Sequence, residues 1–318
     1  MAMGNIRQIV RREMNVIVAY LFLLALVIYS SIMNPYFLTY GNFRNLFKTA
    51  LPYLFMGFGQ TLVILLGCID LSVGPMVSLA TTICATMTTN TPLGFLPGLL
   101  VCLAVGLAVG LMNGLLVTKG RIQAIVVTLA TSSILSGFAL AVLPAPGGSV
   151  TKDFARFLQG NLPGFHAAPY VIGGILIVIV WLVLNRTRFG KNIMATGGNE
   201  DAAYNSGINV DRIKTMAFML SGLFGAMGGV MISARISAGD PIIGAGLAVN
   251  VIAVTVLGGT SLTGGKGGIV GTVAGVFILL IINNILNLFG VPSFYQYVML
   301  GVLLIAALTL NTVQFKRK

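Results

Sequence analysis

Long apolar runs alternate with short polar connections along the whole chain. The runs are near the roughly 20 residues a helix needs to cross a bilayer. Ten of them can be drawn, at 14–33, 50–67, 73–90, from after Gly98 to 117, 122–143, 169–185, 214–234, a short one ending at 258, 268–287 and 293–311. The pattern predicts an all-α polytopic membrane protein of about ten spans. No linker divides it, so 1–318 is read as a single transmembrane domain: spans 1–6 in 14–185, a polar segment at 186–213, and spans 7–10 in 214–311. Between the first two runs, "NPYFLTYGNFRNLFKTA" suits a short interfacial helix, and 144–168 is a Pro- and Gly-rich loop. The basic start at Arg7, Arg11 and Arg12 precedes a full-length apolar run without a small-residue cleavage site, so it reads as a first span rather than a signal peptide.

Two places break the pattern. The second run ends in "GCIDLSVGP" (67–75), and the short eighth run ends in "GGTSLTGGKGG" (258–268). Non-helical backbone at membrane depth must be buried in protein or line a cavity, because lipid supplies no hydrogen bonds. Interrupted segments in two halves of a chain are the usual sequence pointer to a translocation route. The two stretches also echo one another. Leu66, Gly67, Leu71, Ser72 and Gly74 align with Leu257, Gly258, Leu262, Thr263 and Gly265, with Ser261 opposite Asp70. This suggests a two-halved pseudo-repeat, although the span count puts both stretches on one side of the membrane, where an inverted repeat would not.

Composition supports the membrane reading. The chain is 57% hydrophobic and 8% charged, where soluble domains carry about 25% charged residues. The net charge of +12 is dispersed over short connections and is no nucleic-acid footprint. With the N-terminus in the cytoplasm, 14 of the 19 basic residues fall inside; Arg44, Lys48, Lys152, Arg156 and Arg235 fall outside. That bias places both termini in the cytoplasm and favours an even number of spans. Cys68, Cys84 and Cys102 lack metal spacing and read as membrane-buried hydrophobes. The single histidine, His166, lies in a loop. Gly98, Cys102, Gly106, Gly110 and Gly114 repeat every four residues, as do Gly267, Gly271 and Gly275 and the pair Gly225 and Gly229. Such faces let membrane helices pack closely.

Candidate chemistry is sparse. An acid in a membrane segment is expensive and suggests function. Asp70 or Ser72 can equally accept orphan N–H groups at the start of span 3; contact with a permeant, gating or contact with another subunit are the other roles open. The pathway or gating candidates are Asp70, Ser72, Gly74, Asn250, Thr260, Ser261, Thr263, Asn283, Asn284 and Asn287. Uncharged amides and hydroxyls suit a hydroxyl-rich solute better than an ion. Within 186–213, residues 199–206 read as a short helix lying at the cytoplasmic face, capped by Asn199 or the acids after it and bounded by Gly197, Gly198 and Gly207. A soluble partner docking there would explain a segment too long for a turn.

"ILLGCIDLSVG", "FGKNIMATGGNEDAAYNSGINV" and "LGGTSLTGGKGGIVGT", in this order, together with "NNILNLFGVPSFYQ", resemble the membrane subunit of ribose-type ABC importers over about residues 14–311. The resemblance implies a bacterial inner-membrane permease of ten spans that passes a monosaccharide, a ribose-like sugar or polyol, inward. It also implies three partners: a cytoplasmic ATP-binding subunit, a periplasmic sugar-binding protein and a second permease copy, identical or related. It maps the coupling segment onto Gly190 to Ile208, and so singles out Gly190, Gly197, Gly198, Asn199, Glu200, Asp201, Ala202, Ala203, Ser206 and Gly207. No cofactor is expected in this chain, which has no phosphate-binding loop; ATP and magnesium belong to the partner, so the chain is not expected to be an enzyme. Cys68 stands where relatives usually carry glycine. "LAVNVIAVT", with Ala248 and Asn250, replaces a more acidic stretch. Both departures leave room for another solute: a nucleoside, a branched-chain amino acid or a furanone-type signal. A stand-alone secondary carrier is the remaining alternative; the lack of buried carboxylates besides Asp70 counts against it.

Overall fold

The computed structural model describes residues 2–89, 91, 93–161, 166–296, 298, 299, 301, 302, 305 and 309, with side chains from residue 14 onward. Its named elements are twelve helices: α1 (Ala2–Met33), α2 (Tyr40–Ile64), α3 (Val73–Met87), α4 (Leu96–Thr118), α5 (Ala124–Val142), α6 (Lys152–Leu158), α7 (Ala168–Arg186), α8 (Arg188–Gly198), α9 (Glu200–Asn205), α10 (Val210–Ile236), α11 (Leu247–Leu257) and α12 (Ile269–Leu288). No β-strand is present among the described residues; one isolated bridge joins Gly147 and Gly239. The run predicted at 293–311 is described at ten positions, 293–296, 298, 299, 301, 302, 305 and 309, and each of these is helical.

Among the described residues, six helices are long and apolar enough to cross a membrane: α4, α5, α7, α10, α12 and the 14–33 part of α1. They divide by burial. Within the molecule 61% of the most apolar stretch of α10 and of α12 is covered, against 11% in α1 and 28% in α4 and α5. The centre is therefore α2, α3, α10 and α12, and the other spans present Leu, Ile, Val and Phe outward, as lipid requires. The short interfacial helix expected after the first run does not form separately. Residues from Tyr40 on belong to α2, capped by the Thr39 hydroxyl on the Asn42 N–H at 3.4 Å.

The small-residue faces do what their spacing predicts. Gly98 of α4 packs on Cys84 of α3, while Gly106, Gly110 and Gly114 meet Gly222, Met219 and Thr215 of α10. Gly225 and Gly229 meet Met76 and Val77 of α3. Gly271 and Gly275 lie against the Gly258 and Val254 carbonyls at the end of α11, whereas Gly267, expected on the same face, falls in the loop before α12 and lies against Thr260.

Two elements are too short to span. At 1.5 Å per residue, α3 reaches roughly 22 Å and α11 roughly 16 Å, against a hydrocarbon core of about 30 Å. Irregular backbone makes up the difference. The stretch 65–72 precedes α3. The stretch 237–246 precedes α11 and runs back along α3: Asp240 N–H donates to Thr81 Oγ1 at 3.2 Å and Gly244 N–H to Ser78 Oγ at 2.9 Å. The first turns of the two short helices meet, with Gly74 against Gly244 and Ala248.

Candidate functional site

Three polar segments lie together at the face that carries α8 and α9: the 65–72 break, the 258–268 loop, and α8–α9 themselves.

The first break is held by buried hydrogen bonds centred on Asp70, which is 1% exposed. One carboxylate oxygen accepts the Ser72 N–H at 2.9 Å and the Ser72 hydroxyl at 2.5 Å. The other accepts the Ser221 hydroxyl of α10 at 2.7 Å. Ser72 Oγ accepts from Asn113 Nδ2 of α4 at 3.0 Å, and Asn113 Oδ1 accepts from Thr131 of α5 at 2.6 Å. Gln60 of α2 pairs with both backbone groups of Asp70, at 3.0 and 3.3 Å, in the amide orientation that satisfies its two polar atoms. Thr128 donates to the Ile69 carbonyl at 3.2 Å. None of the described ion pairs involves Asp70. The arrangement satisfies irregular backbone from inside the protein, as a membrane demands, and fixes the break to α2, α4, α5 and α10 at once.

The two capping candidates divide here: Asp70 accepts the N–H of Ser72 at the N-terminal boundary of α3, whereas the Ser72 side chain makes no capping bond to α3. Asp70 accepts the N–H two residues ahead, an Asx-turn that folds the chain before the helix starts. Ser72 spends its hydroxyl on Asp70 and Asn113 instead.

The second break repeats this local device. Ser261 Oγ accepts the Thr263 N–H at 3.3 Å and pairs with the Thr263 hydroxyl at 2.8 Å. The sequence echo is thus matched by the same side-chain turn at both places. The two segments also touch, since the Gly265 N–H donates to the Leu65 carbonyl at 2.9 Å. A buried hydroxyl pair, Thr61 with Thr272 at 2.6 Å, ties α2 to α12 close by.

The short helix expected at 199–206 is α9. Asn199 caps it by accepting the Ala202 N–H at 2.9 Å, and Gly207 ends it with φ of 82°. Ala203 is buried; Glu200, Asp201, Ala202 and Tyr204 face outward. Lys214 of α10 holds Glu200 at 2.6 Å. The helix α8, not foreseen in the sequence, precedes it. Thr187 caps it, and Ile193 anchors it in the cluster that contains Leu65, Leu66 and Ile213. Gly190 lies against the last turns of α7 at Leu184.

The amide candidates Asn250, Asn283, Asn284 and Asn287 lie apart from this group. Asn284 exchanges two hydrogen bonds with Asn42, at 3.0 and 2.7 Å, and Asn287 accepts from Gln296 at 2.8 Å. These bonds join the far end of α12 to the start of α2 and to the segment that follows it. Asn283 is half-buried beside them, and Asn250 is half-buried on α11. Thr260 and Ser261 are buried and Thr263 is exposed. Ser221, Thr131 and Thr61, which sequence reasoning passed over, are small hydroxyls on long apolar helices and carry no local signal. No group of three His, Cys, Asp or Glu side chains able to hold a metal occurs among the described residues.

Apolar helices too short to span, joined through buried polar breaks to a capped helix at one face, fit a membrane translocation subunit. The chain belongs to the family described as branched-chain amino acid transport system / permease component, which matches residues 42–308. It is similar to the ribose import permease protein RbsC of Bacillus subtilis (strain 168), 42% identical over 297 residues, covering 92% of this chain and 91% of the relative. The ribose import permease protein RbsC of Escherichia coli (strain K12) is 37% identical over 307 residues, 94% and 93% of the two chains. The D-allose transport system permease protein AlsC of the same strain is 35% identical over 293 residues, 91% and 90%. No solved structure matches the chain.

Proposed function

We propose that this chain is the permease subunit of a binding-protein-dependent importer in a bacterial plasma membrane. It passes a monosaccharide, a ribose-like sugar or related polyol, into the cytoplasm while a separate ATPase hydrolyses ATP. The carrying observation is the likeness to ribose import permeases over more than nine-tenths of both chains. Its partners in this reading are the cytoplasmic ATP-binding subunit, a periplasmic sugar-binding protein and a second permease copy. No cofactor is needed in the chain itself.

The finer topology is ten spans in one domain with both termini cytoplasmic. The distribution of charge supports it. Lys119, Arg121, Arg186, Arg188, Lys191, Arg212, Lys214 and Lys266 flank helix ends at the α8–α9 face, which makes that face cytoplasmic under the positive-inside rule. Helix α9, with Glu200, Asp201 and Ala202 outward, is then the surface that receives the ATPase. The abutting starts of α3 and α11 at Gly74, Gly244 and Ala248 form the region where the pathway opens and closes.

The test is uptake of labelled ribose and allose into proteoliposomes holding the chain, its ATPase and the sugar-loaded binding protein. ATP-dependent uptake is expected only with all components. Uptake by the chain alone would make it a stand-alone carrier. Uptake of a branched-chain amino acid in place of sugar would move the substrate class to that named in the family description.

A further inference from the structure

The end of α8 is in backbone contact with both polar breaks. Gly197 lies against the Leu65 carbonyl, which already accepts the Gly265 N–H, and a β-carbon on Gly197 would overlap that oxygen. From the other side, a β-carbon on Gly264 would come within 2.7 Å of the Gly197 carbonyl oxygen and 2.9 Å of the Gly67 nitrogen. One on Gly265 would come within 2.6 Å of the Gly198 Cα. Gly264 and Gly265 hold φ of 83° and 70°, conformations that favour glycine. Three segments far apart in sequence therefore meet with no side chain between them. A second observation falls on the same turn. Thr196 is 2% exposed, and its hydroxyl oxygen has no hydrogen-bond partner. A helical threonine ordinarily bonds back to the carbonyl four residues earlier. An orphaned buried hydroxyl marks a place where the surrounding structure imposes the geometry.

Resting on the permease reading above, we infer that Gly197 is the positioning residue of a rigid joint. The last turn of α8, the end of α2 at Leu65–Gly67 and the loop at Gly264–Gly265 move as one body. A displacement of α9 by the ATPase is then delivered to both breaks together, and through them to Asp70 and to the start of α12. Side-chain contacts would absorb part of such a displacement by rotamer changes; backbone packed on backbone cannot. Gly137 of α5, away from the joint, supplies an internal control, because a β-carbon there meets nothing within 4 Å.

The experiment compares Gly197→Ala and Gly137→Ala in proteoliposomes with the ATPase and the sugar-loaded binding protein. Gly197→Ala is expected to keep ATP hydrolysis and to lose sugar uptake by about tenfold, because one added methyl must prise the joint open. Gly137→Ala should keep both. Should Gly197→Ala fail to assemble, spin labels in the wild-type background decide. Labels at Gly198→Cys and Thr263→Cys should hold one separation in nucleotide-free and ATP-trapped states, while the separation from position 198 to Lys152→Cys changes. A 198–263 separation that changes between states, or a Gly197→Ala variant that transports like wild type, overturns the joint. Absence of uptake by the wild-type complex overturns the permease reading itself, and is told apart because it does not depend on the substitution.

Discussion

Asp70 shows how a single acid is kept in apolar surroundings. Its two oxygens accept three hydrogen bonds, from the Ser72 N–H, the Ser72 hydroxyl and the Ser221 hydroxyl. Asp70→Asn replaces an acceptor with an amide donor facing donors, and should cost about 1–3 kcal/mol. It would be read as a lower melting temperature of the detergent-solubilised protein. Ser221→Ala removes one donor and should cost less, about 1 kcal/mol. Equal melting temperatures for Asp70→Asn and wild type would show that the network does not hold the break. The sequence drew attention to Asp70 because a charge stood inside an apolar run. It left open whether Asp70 or Ser72 takes the N–H at the helix boundary, and the structure gives that bond to Asp70. The Ser221 partner, 151 residues away, had no local trace.

At the scale of elements, α9 is stable because its start is capped, and α8 because one face is buried. Asn199→Ala should cost about 1 kcal/mol of local helix stability; amides 200–205 would then exchange with deuterium measurably faster, while α10 is unchanged. The Glu200–Lys214 pair has one half-exposed partner and contributes at most about 1 kcal/mol. Glu200→Lys should therefore leave the fold intact while disturbing the surface proposed to receive the ATPase, so that sugar uptake falls more than melting temperature. Wild-type uptake by this variant would remove α9 from the coupling route. The capping residue made α9 legible in the sequence. The polar and glycine-rich composition of 188–198 hid α8, which depends on Ile193 reaching a core cluster assembled from α2, α7 and α10.

For the whole molecule, the two faces carry different charge and different segments. With the α8–α9 face cytoplasmic, Tyr204→Cys should react with a membrane-impermeant thiol reagent only in inverted vesicles, and Lys152→Cys only in intact cells whose outer membrane has been made permeable. The reverse pattern would invert the topology. Tyr204 is 72% exposed, so accessibility itself does not limit the reaction.

The sequence by itself determined the class and most of the elements. Apolar run length, small residues every four positions and capping residues are local properties, and each acts within one helix or one turn. It also marked both polar breaks, since glycine, hydroxyls and an acid in apolar sequence are visible without a structure. Only the tertiary structure decided that the breaks at 65–72 and 258–268 touch each other and receive the end of α8. Those contacts run through carbonyl oxygens, amide nitrogens and the space left by absent side chains, and such groups are the same at every position of a chain until folding brings particular ones together.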